Sequence, residues 1–167
     1  MSARPSGQEA FGLLLAETRS LANLGMLALV MREEPTLRAA MQSSVRYMRL
    51  HNAGVQFRID DAGVVVLLHV GVNMQRHGVW RQTIEQSTGI ALRMLKVLSG
   101  NAFRPVRISF THEPPARMEV HRRVLGTAIG FSQEHNAIAC RGRDLDMPIP
   151  CLLYTSRPHE TVLDLVF

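Results

Sequence analysis

Hydrophobic positions along this chain of 167 residues repeat with two different periods, and each period predicts a different kind of element. Residues 36–51 and 79–98 carry apolar side chains every three to four positions, which predicts helices that each bury one face. Strict alternation at residues 55–59 predicts a strand with one packed and one wet face. The continuous, largely β-branched run at 64–70 predicts a second strand that is covered on both faces.

Local chemistry indicates where these elements begin, turn and pack. Thr36 is placed to cap the 36–51 helix, and Gly63 suits a tight turn between the two strands. Gly89 costs the 79–98 helix about 1 kcal/mol relative to alanine, which indicates close packing of a neighbouring element. Three packed helix faces are predicted: Phe11, Leu14, Leu15 and Thr18; Leu37, Ala40, Met41, Val45 and Met48; and Trp80, Ile84, Ala91, Met94, Leu95 and Leu98.

The last third of the chain predicts a strand, a break, a helix and a hairpin. Residues 105–110 alternate so that Val106, Ile108 and Phe110 share the packed face of a strand, which stops before two consecutive prolines. Residues 116–125 then predict a short helix closed by Gly126. The stretches 127–131 and 137–141 flank a polar connection and predict a hairpin.

The order of the elements defines a fold class. Helices come first, and a hairpin, a long helix, a strand, a short helix and a second hairpin follow. This order predicts an α+β fold in which helices pack on a mainly antiparallel sheet. The length allows one domain with a hydrophobic core and is too short for two.

The composition indicates a globular protein. A hydrophobic fraction of 46% is typical of a globular protein, and no apolar run is long enough to cross a bilayer. We therefore expect no membrane association and a cytoplasmic location. Cys140 and Cys151 have neither a redox nor a zinc spacing, so we expect both to be reduced.

The net charge of +5 raises the question of nucleic-acid binding. The basic residues are almost all arginines scattered along the chain, and phosphate contacts give affinity only where several converge on one face. Diffuse, solvated charge is the preferred interpretation, and direct nucleic-acid binding remains an alternative.

Candidate catalytic chemistry is sparse. His112, Glu113 and His121 are suitable metal ligands by type, but the two histidines fall on different predicted elements, and His121 is expected to be solvated. There is no nucleophile elbow and no glycine-rich phosphate loop. We expect no cofactor, no metal and no enzymatic activity; a small metal-dependent enzyme using these three residues is the alternative.

An ordered set of short motifs runs through residues 11–150. The set is Leu24-Gly25-Met26-Leu27, Pro35-Thr36-Leu37-Arg38-Ala39-Ala40, Arg46-Tyr47, His51-Asn52-Ala53-Gly54, Arg81-Gln82, Pro105, Phe110-Thr111-His112-Glu113-Pro114-Pro115, Gly126, Phe131, Asn136-Ala137 and Asp144-Leu145-Asp146-Met147-Pro148. No single motif is specific, but together they resemble the N-terminal domain of AraC-type transcription regulators, in the version called arabinose-binding-like whatever its ligand.

The resemblance implies a sensor domain that binds a small-molecule effector and pairs subunits into a homodimer. DNA would be bound only through a C-terminal helix-turn-helix domain that this sequence lacks. We expect the domain at residues 1–150, incomplete at its N-terminus. Residues 151–167 depart from the family pattern and are expected to be a tail or the start of a linker; a non-native continuation of the chain is the alternative.

Two sets of residues are predicted to serve these roles. Chemistry and position favour four residues for effector binding: Tyr47, Phe57, His69 and Trp80. In AraC-like regulators a helix of the sensor domain can pair subunits. Three residues of the 79–98 helix are expected to lie away from its apolar stripe and to serve dimerisation: Arg81, Glu85 and Arg93.

Overall fold

The structure, a computed structural model, describes residues 10–73 and 80–150, so the predicted tail at 151–167 lies outside the described residues. The helices are α1 (Phe11–Thr18), α2 (Met26–Glu33), α3 (Leu37–His51), α4 (Trp80–Leu98), α5 (Glu119–Leu125) and α6 (Gly142–Leu145), with a 3₁₀ turn at Leu21–Leu24. The strands are β1 (Val55–Asp61), β2 (Val65–Val72), β3 (Arg107–Ser109), β4 (Ile129–Gly130) and β5 (Ala137–Arg141).

The strands of the described residues form one sheet in the order β1-β2-β5-β3-β4. Every neighbouring pair is antiparallel except β3 and β4, which run parallel. Helices and sheet share a single core cluster, to which α3, α4, β2 and β5 all contribute. The predicted α+β class with a mainly antiparallel sheet is therefore confirmed.

Helix α3 forms as its sequence predicts. The Thr36 hydroxyl oxygen accepts a hydrogen bond from the backbone N–H of Ala39 at 3.2 Å, which satisfies one of the free donors at the helix start. Leu37, Ala40 and Met41 are at most 1% exposed, so the predicted apolar face is the buried one.

Two strand predictions are corrected by the burial pattern. Strand β2 is not covered on both faces, because Val66, Leu68 and Val70 are buried while Val65 is 42% exposed. The second face of β2 carries apolar residues but is not fully buried. A continuous apolar run therefore did not indicate that a second layer covers this strand. Val106 was assigned to the packed face of the next strand, but β3 begins only at Arg107 and Val106 is 45% exposed.

The predicted hairpin of residues 127–131 and 137–141 is wrong. Strand β3 lies between β4 and β5 and pairs with both. The polar connection at 132–136 instead bonds to the chain just beyond β3, where the Asn136 side chain accepts from the N–H of Thr111 at 2.9 Å. Local turn chemistry cannot reveal that a distant strand inserts between two neighbours.

Helix α1 packs through a different face from the one predicted. Gly12, Leu13 and Ala16 are buried, whereas Phe11 and Leu14 are exposed. The reason is close contact with α4. A Cβ on Gly12 would lie 2.2 Å from the carbonyl oxygen of Gln82, so only glycine permits this approach.

The segment around residue 148 is bound to the start of α3. The backbone N–H of Leu37 donates to the carbonyl of Met147, and that of Ile149 donates to the carbonyl of Pro35, both at 3.2 Å. The Arg38 guanidinium binds the carboxylates of Asp61 and Asp146. It also donates to the Gly142 carbonyl at 2.9 Å. Arg38 therefore joins α3, the β1–β2 turn and α6.

Gly89 packs closely against α1, in agreement with the close packing that the sequence predicts at this position. A Cβ at this position would lie 2.8 Å from the Cβ of Ala16 and 3.3 Å from a methyl carbon of Leu13. We expect Gly89→Ala to lower the free energy of unfolding by about 1–3 kcal/mol, because overpacking outweighs the gain in helix propensity. Urea unfolding followed by circular dichroism measures the change.

A double-mutant cycle with Ala16→Gly separates the packing effect from helix propensity. Removing the methyl group of Ala16 frees the space that the new methyl group at position 89 needs. Gly89→Ala should then cost less in the Ala16→Gly background than in the wild type. A stabilising effect of Gly89→Ala in the wild-type background would contradict the close contact.

Candidate functional site

A cleft of about 250 Å³ opens between the end of α3, strand β1, the middle of α4 and the 3₁₀ turn. We call it the α3–α4 cleft. Its lining residues are Arg19, Ser20, Asn23, Leu24, Met48, Asn52, Val55, Phe57, Thr83, Gln86, Ser87, Ile90 and Met94. A concave site with an apolar lining and a few polar groups is the usual form of a small-molecule site.

The periodicity of α4 and β1 places the cleft residues. Thr83, Gln86, Ile90 and Met94 recur every three to four positions, so they lie along one side of α4. Polar groups line the first half of this row and apolar groups the second. Val55 and Phe57 contribute the facing wall, since alternate residues of a strand share one face.

Of the four residues predicted to bind an effector, only Phe57 lines this cleft. Tyr47 lies on α3 and is 37% exposed, with the guanidinium of Arg46 5.9 Å from its ring centroid. Trp80 stands at the start of α4 beside His112, at 6.2 Å between ring centroids. The structure does not bring the four residues into a single cavity, and their role in effector binding stays a prediction.

His69 lies on the other face of the sheet from the cleft. It pairs across the strands with Arg58, whereas Phe57 pairs with Val70. The His69 ring contacts the ring of His135 edge-on at 5.3 Å between centroids. Burial lowers the pKa of His69, and the charge of Arg58 lowers it further. A shallow depression of about 330 Å³ includes these three polar side chains.

A second polar constellation is buried at the N-terminal half of α4. We call it the Glu85 cluster, and it consists of Arg81, Glu85, His112 and His121. The Nε2 atoms of His121 and His112 lie 3.0 and 3.2 Å from Glu85 Oε1. Arg81 Nε donates to the same oxygen at 3.1 Å. The side chains of Glu85 and His121 are both 0% exposed.

Aromatic rings enclose the Glu85 cluster on the side of the sheet. The ring of His112 stacks on Phe110 at 5.0 Å between centroids and is tilted against Phe131 at 5.4 Å. Phe131 also meets the ring of His121 edge-on at 5.9 Å. The low polarity of these rings strengthens the charge interactions inside the cluster and raises the cost of an unpaired charge.

The protein comparisons decide the family. The sequence profile described as "Arabinose-binding domain of AraC transcription regulator, N-term" matches residues 2–149. The chain belongs to this family. The resemblance drawn from the ordered motifs is confirmed.

Two relatives are informative beyond the family profile. "HTH-type transcriptional regulator VirS" of Mycobacterium tuberculosis, found in two strains, is 26% identical over 125 residues, which is 74% of this chain and 37% of the relative. The crystal structure of transcriptional regulator CdpR from Pseudomonas aeruginosa matches with a TM-score of 0.70 at 13% identity. That match covers 84% of this chain and 46% of CdpR. The matched region therefore spans less than half the length of each of these two proteins.

The Glu85 cluster corrects two predictions about single residues of this AraC-type domain. Glu85 was expected to lie away from the apolar stripe of α4, and His121 was expected to be solvated; both are fully buried. A signal for Glu85 was present in the sequence. Glu85, Thr88, Leu92 and Leu95 recur at helical spacing, so Glu85 lies on the same row as buried leucines.

The three residues considered for a metal site do not meet. The Glu113 side chain is exposed, and its contact with His112 is through the backbone carbonyl, which accepts from His112 Nδ1 at 2.8 Å. Glu85 takes the place of Glu113 between the two histidines. Within residues 10–73 and 80–150, no group of three or more His, Cys, Asp or Glu side chains is suited to hold a metal ion.

Three further predictions concern the cysteines, membrane association and dimerisation. Cys140 is a free, buried thiol, and burial raises its pKa to about 12. Across the described parts of the chain, no helix has both the length and the apolar character needed to span a membrane. Arg93 is exposed on α4 and donates to the backbone carbonyl of Glu17, and Arg81 is 29% exposed. The dimerisation role of Arg81 and Arg93 stays a prediction.

Removal of the buried carboxylate should destabilise this domain strongly. Glu85→Ala leaves Arg81 and His121 without their shared partner, and breaking a buried pair typically costs about 3–5 kcal/mol. Glu113→Ala removes an exposed carboxylate and should change the free energy of unfolding by less than about 0.5 kcal/mol. Urea unfolding of both variants measures the difference. Equal losses would contradict a structural role for Glu85.

The environment of His112 predicts that acid destabilises the fold. Burial lowers the pKa of His112, although its bond to the carbonyl of Glu113 and the charge of Glu85 act in the opposite direction. The unfolded chain therefore binds a proton at this site more readily than the folded chain. The free energy of unfolding should be largest above the unfolded pKa of about 6.5 and fall as the pH drops through the lower folded pKa.

Urea unfolding between about pH 8 and pH 5 tests the contribution of His112. The matched variant is His112→Asn, because its amide can still donate to the carbonyl of Glu113 while carrying no titrating proton. The wild type should lose stability more steeply on acidification, by at most about 1.4 kcal/mol per pH unit. Parallel curves for the two proteins would show that His112 does not titrate as its burial requires.

Proposed function

We propose that this chain is the effector-sensing and subunit-pairing domain of an AraC-type regulator, which controls transcription in response to a small molecule. The observation that carries the proposal is the α3–α4 cleft within a domain whose profile match spans residues 2–149. DNA is bound by a helix-turn-helix region outside this chain. The name of the family includes arabinose, but the single aromatic residue of the cleft, Phe57, offers little surface for stacking a sugar ring.

The sensing mechanism requires the effector to prefer one arrangement of the domain. A ligand that binds two arrangements equally well shifts nothing between them, however tightly it binds. The cleft meets this requirement, because its walls belong to separate elements: the 3₁₀ turn, α3, β1 and α4. A ligand that contacts several of these elements at once binds best to the arrangement in which all of those contacts can form.

Subunit pairing is proposed through the exposed edge of α4. Arg93 and Val97 lie on this edge, and Val97 is 38% exposed. Arg81 lies nearer the start of the same helix. Glu85 is buried, so its part in pairing is indirect: it positions the guanidinium of Arg81.

A thermal-shift screen of a broad metabolite collection tests the sensing role. Gln86→Trp places a large side chain on the α4 wall of the cleft, and Gln42→Trp makes the same change at an exposed position of α3. An effector should raise the melting temperature of the wild type and of Gln42→Trp, and have little effect on Gln86→Trp. Stabilisation by the ligand follows from its preferential binding to the folded state.

Circular dichroism and the urea midpoint without ligand establish that Gln86→Trp is folded. If that variant unfolds, Ile90→Trp blocks the same wall one turn further along α4. A screen that yields no stabilising compound of any chemical class would overturn the sensing role. So would compounds that stabilise the wild type and the blocked variant alike.

A further inference from the structure

We propose that the α3–α4 cleft takes a small amphipathic anion, a monocarboxylate with an apolar body, whose carboxylate pairs with Arg19. This inference rests on the proposed sensing function and names the class of effector. The argument comes from the charges and the apolar surface that the cleft presents.

The lining of the cleft carries a single formal charge. Arg19 is the only ionisable side chain among its residues, and there is no Asp, Glu, Lys or His. Arg19 makes no ion pair within the described parts of the chain, and its side chain is exposed at the cleft margin. A cationic ligand would meet an unopposed positive charge, whereas a carboxylate would meet a guanidinium suited to bind it through two hydrogen bonds.

The rest of the lining divides into neutral polar groups and an apolar wall. Asn23, Asn52 and Gln86 carry amides, and Ser20, Thr83 and Ser87 carry hydroxyls. Oδ1 of Asn23 accepts from Ser20 and Oδ1 of Asn52 accepts from the N–H of Gly54, so these two amides face the cleft mainly as donors. The apolar part is formed by Leu24, Met48, Val55, Phe57, Ile90 and Met94. Methionine side chains adapt to irregular shapes, so a flexible aliphatic body fits this wall.

The size of the cleft limits the ligand. A volume of about 250 Å³ equals the space of about eight water molecules at ~30 Å³ each. A carboxylate with a chain of about eight carbons is close to this size. Longer chains would extend into solvent through the open side of the cleft.

Two further depressions of the described residues differ in charge. The groove between α1, α4 and α5 contains three basic side chains, those of Arg93, Lys96 and Arg123. Arg123 binds the carboxylate of Glu17, and Arg93 donates to the backbone carbonyl of Glu17. The depression on the outer face of the sheet contains both basic and acidic side chains, including Arg58 and Glu134. Arg19 also lines an adjoining depression with Ile90, Met94 and Val97, but the volume of that depression is only about 10 Å³. The α3–α4 cleft is therefore the place where Arg19 adjoins an apolar wall with room for a ligand.

Isothermal titration calorimetry with three probes of matched shape tests the inference. Octanoate, octanamide and octylammonium share an apolar body and differ in the charge of the head group. Octanoate should bind the wild type at least about tenfold more tightly than octanamide, since a charge-assisted bond is lost in the amide. Octylammonium should not bind, and added salt should weaken octanoate binding because Arg19 is exposed.

Two arginine variants test whether Arg19 causes the preference for a carboxylate head group. Arg19→Gln should reduce the affinity for octanoate to that for octanamide, a loss of about tenfold. Arg32→Gln removes an exposed arginine of α2 outside the cleft and should leave both affinities unchanged. Gln86→Trp should abolish binding of both probes.

The outcomes separate this inference from the sensing role. Binding of octanamide or octylammonium as tight as that of octanoate, or octanoate binding that survives Arg19→Gln, would overturn the ligand class. Failure of all three probes would also overturn it. The sensing role would still stand if a compound of another class stabilised the wild type but not Gln86→Trp in the broad screen.

Discussion

The close packing of helix α4 against α1 depends on the absence of a side chain at position 89. At that point α1 and α4 approach so closely that a Cβ would lie 2.8 Å from Ala16. The approach brings α1 onto one side of α4 while the sheet and α3 contact other sides. The same helix then supplies a wall of the α3–α4 cleft, the buried Glu85 and the exposed edge with Arg93. Each of these features depends on where the α1–α4 contact places that helix.

Elements formed by local sequence were predictable, and contacts between distant segments were not. The cap at Thr36, the β1–β2 hairpin and the long helix α4 follow from spacing within a few residues. The packed face of α1 was mispredicted because two small residues, Gly12 and Ala16, decide it against a larger apolar stripe. The hairpin of β4 and β5 failed because β3 lies between them.

The difference between local patterns and contacts of distant segments also explains which site residues could be predicted from the sequence. Phe57 lines the cleft because strand alternation places it on the inner face, whereas Tyr47, His69 and Trp80 lie elsewhere. The effector-binding role of all four residues stays a prediction. Glu85 and His121 are separated by 36 positions in the chain, and each looked like a surface residue in isolation. Their mutual contact is what makes burial of both tolerable. The family itself was recognisable, because an ordered set of motifs carries that information without any three-dimensional contact.

Helix α3 links the cleft to the far end of the described domain. Its C-terminal end contributes Met48 to the cleft, and its first residue bonds to the backbone of Met147 while Arg38 holds Asp146. The fifteen residues of α3 span about 22 Å. A rotation of about 10° around the cleft end would displace the other end by about 4 Å. Because α3 is one continuous helix, a displacement of its cleft end would also move the segment at residues 146–149 that is bound to its other end.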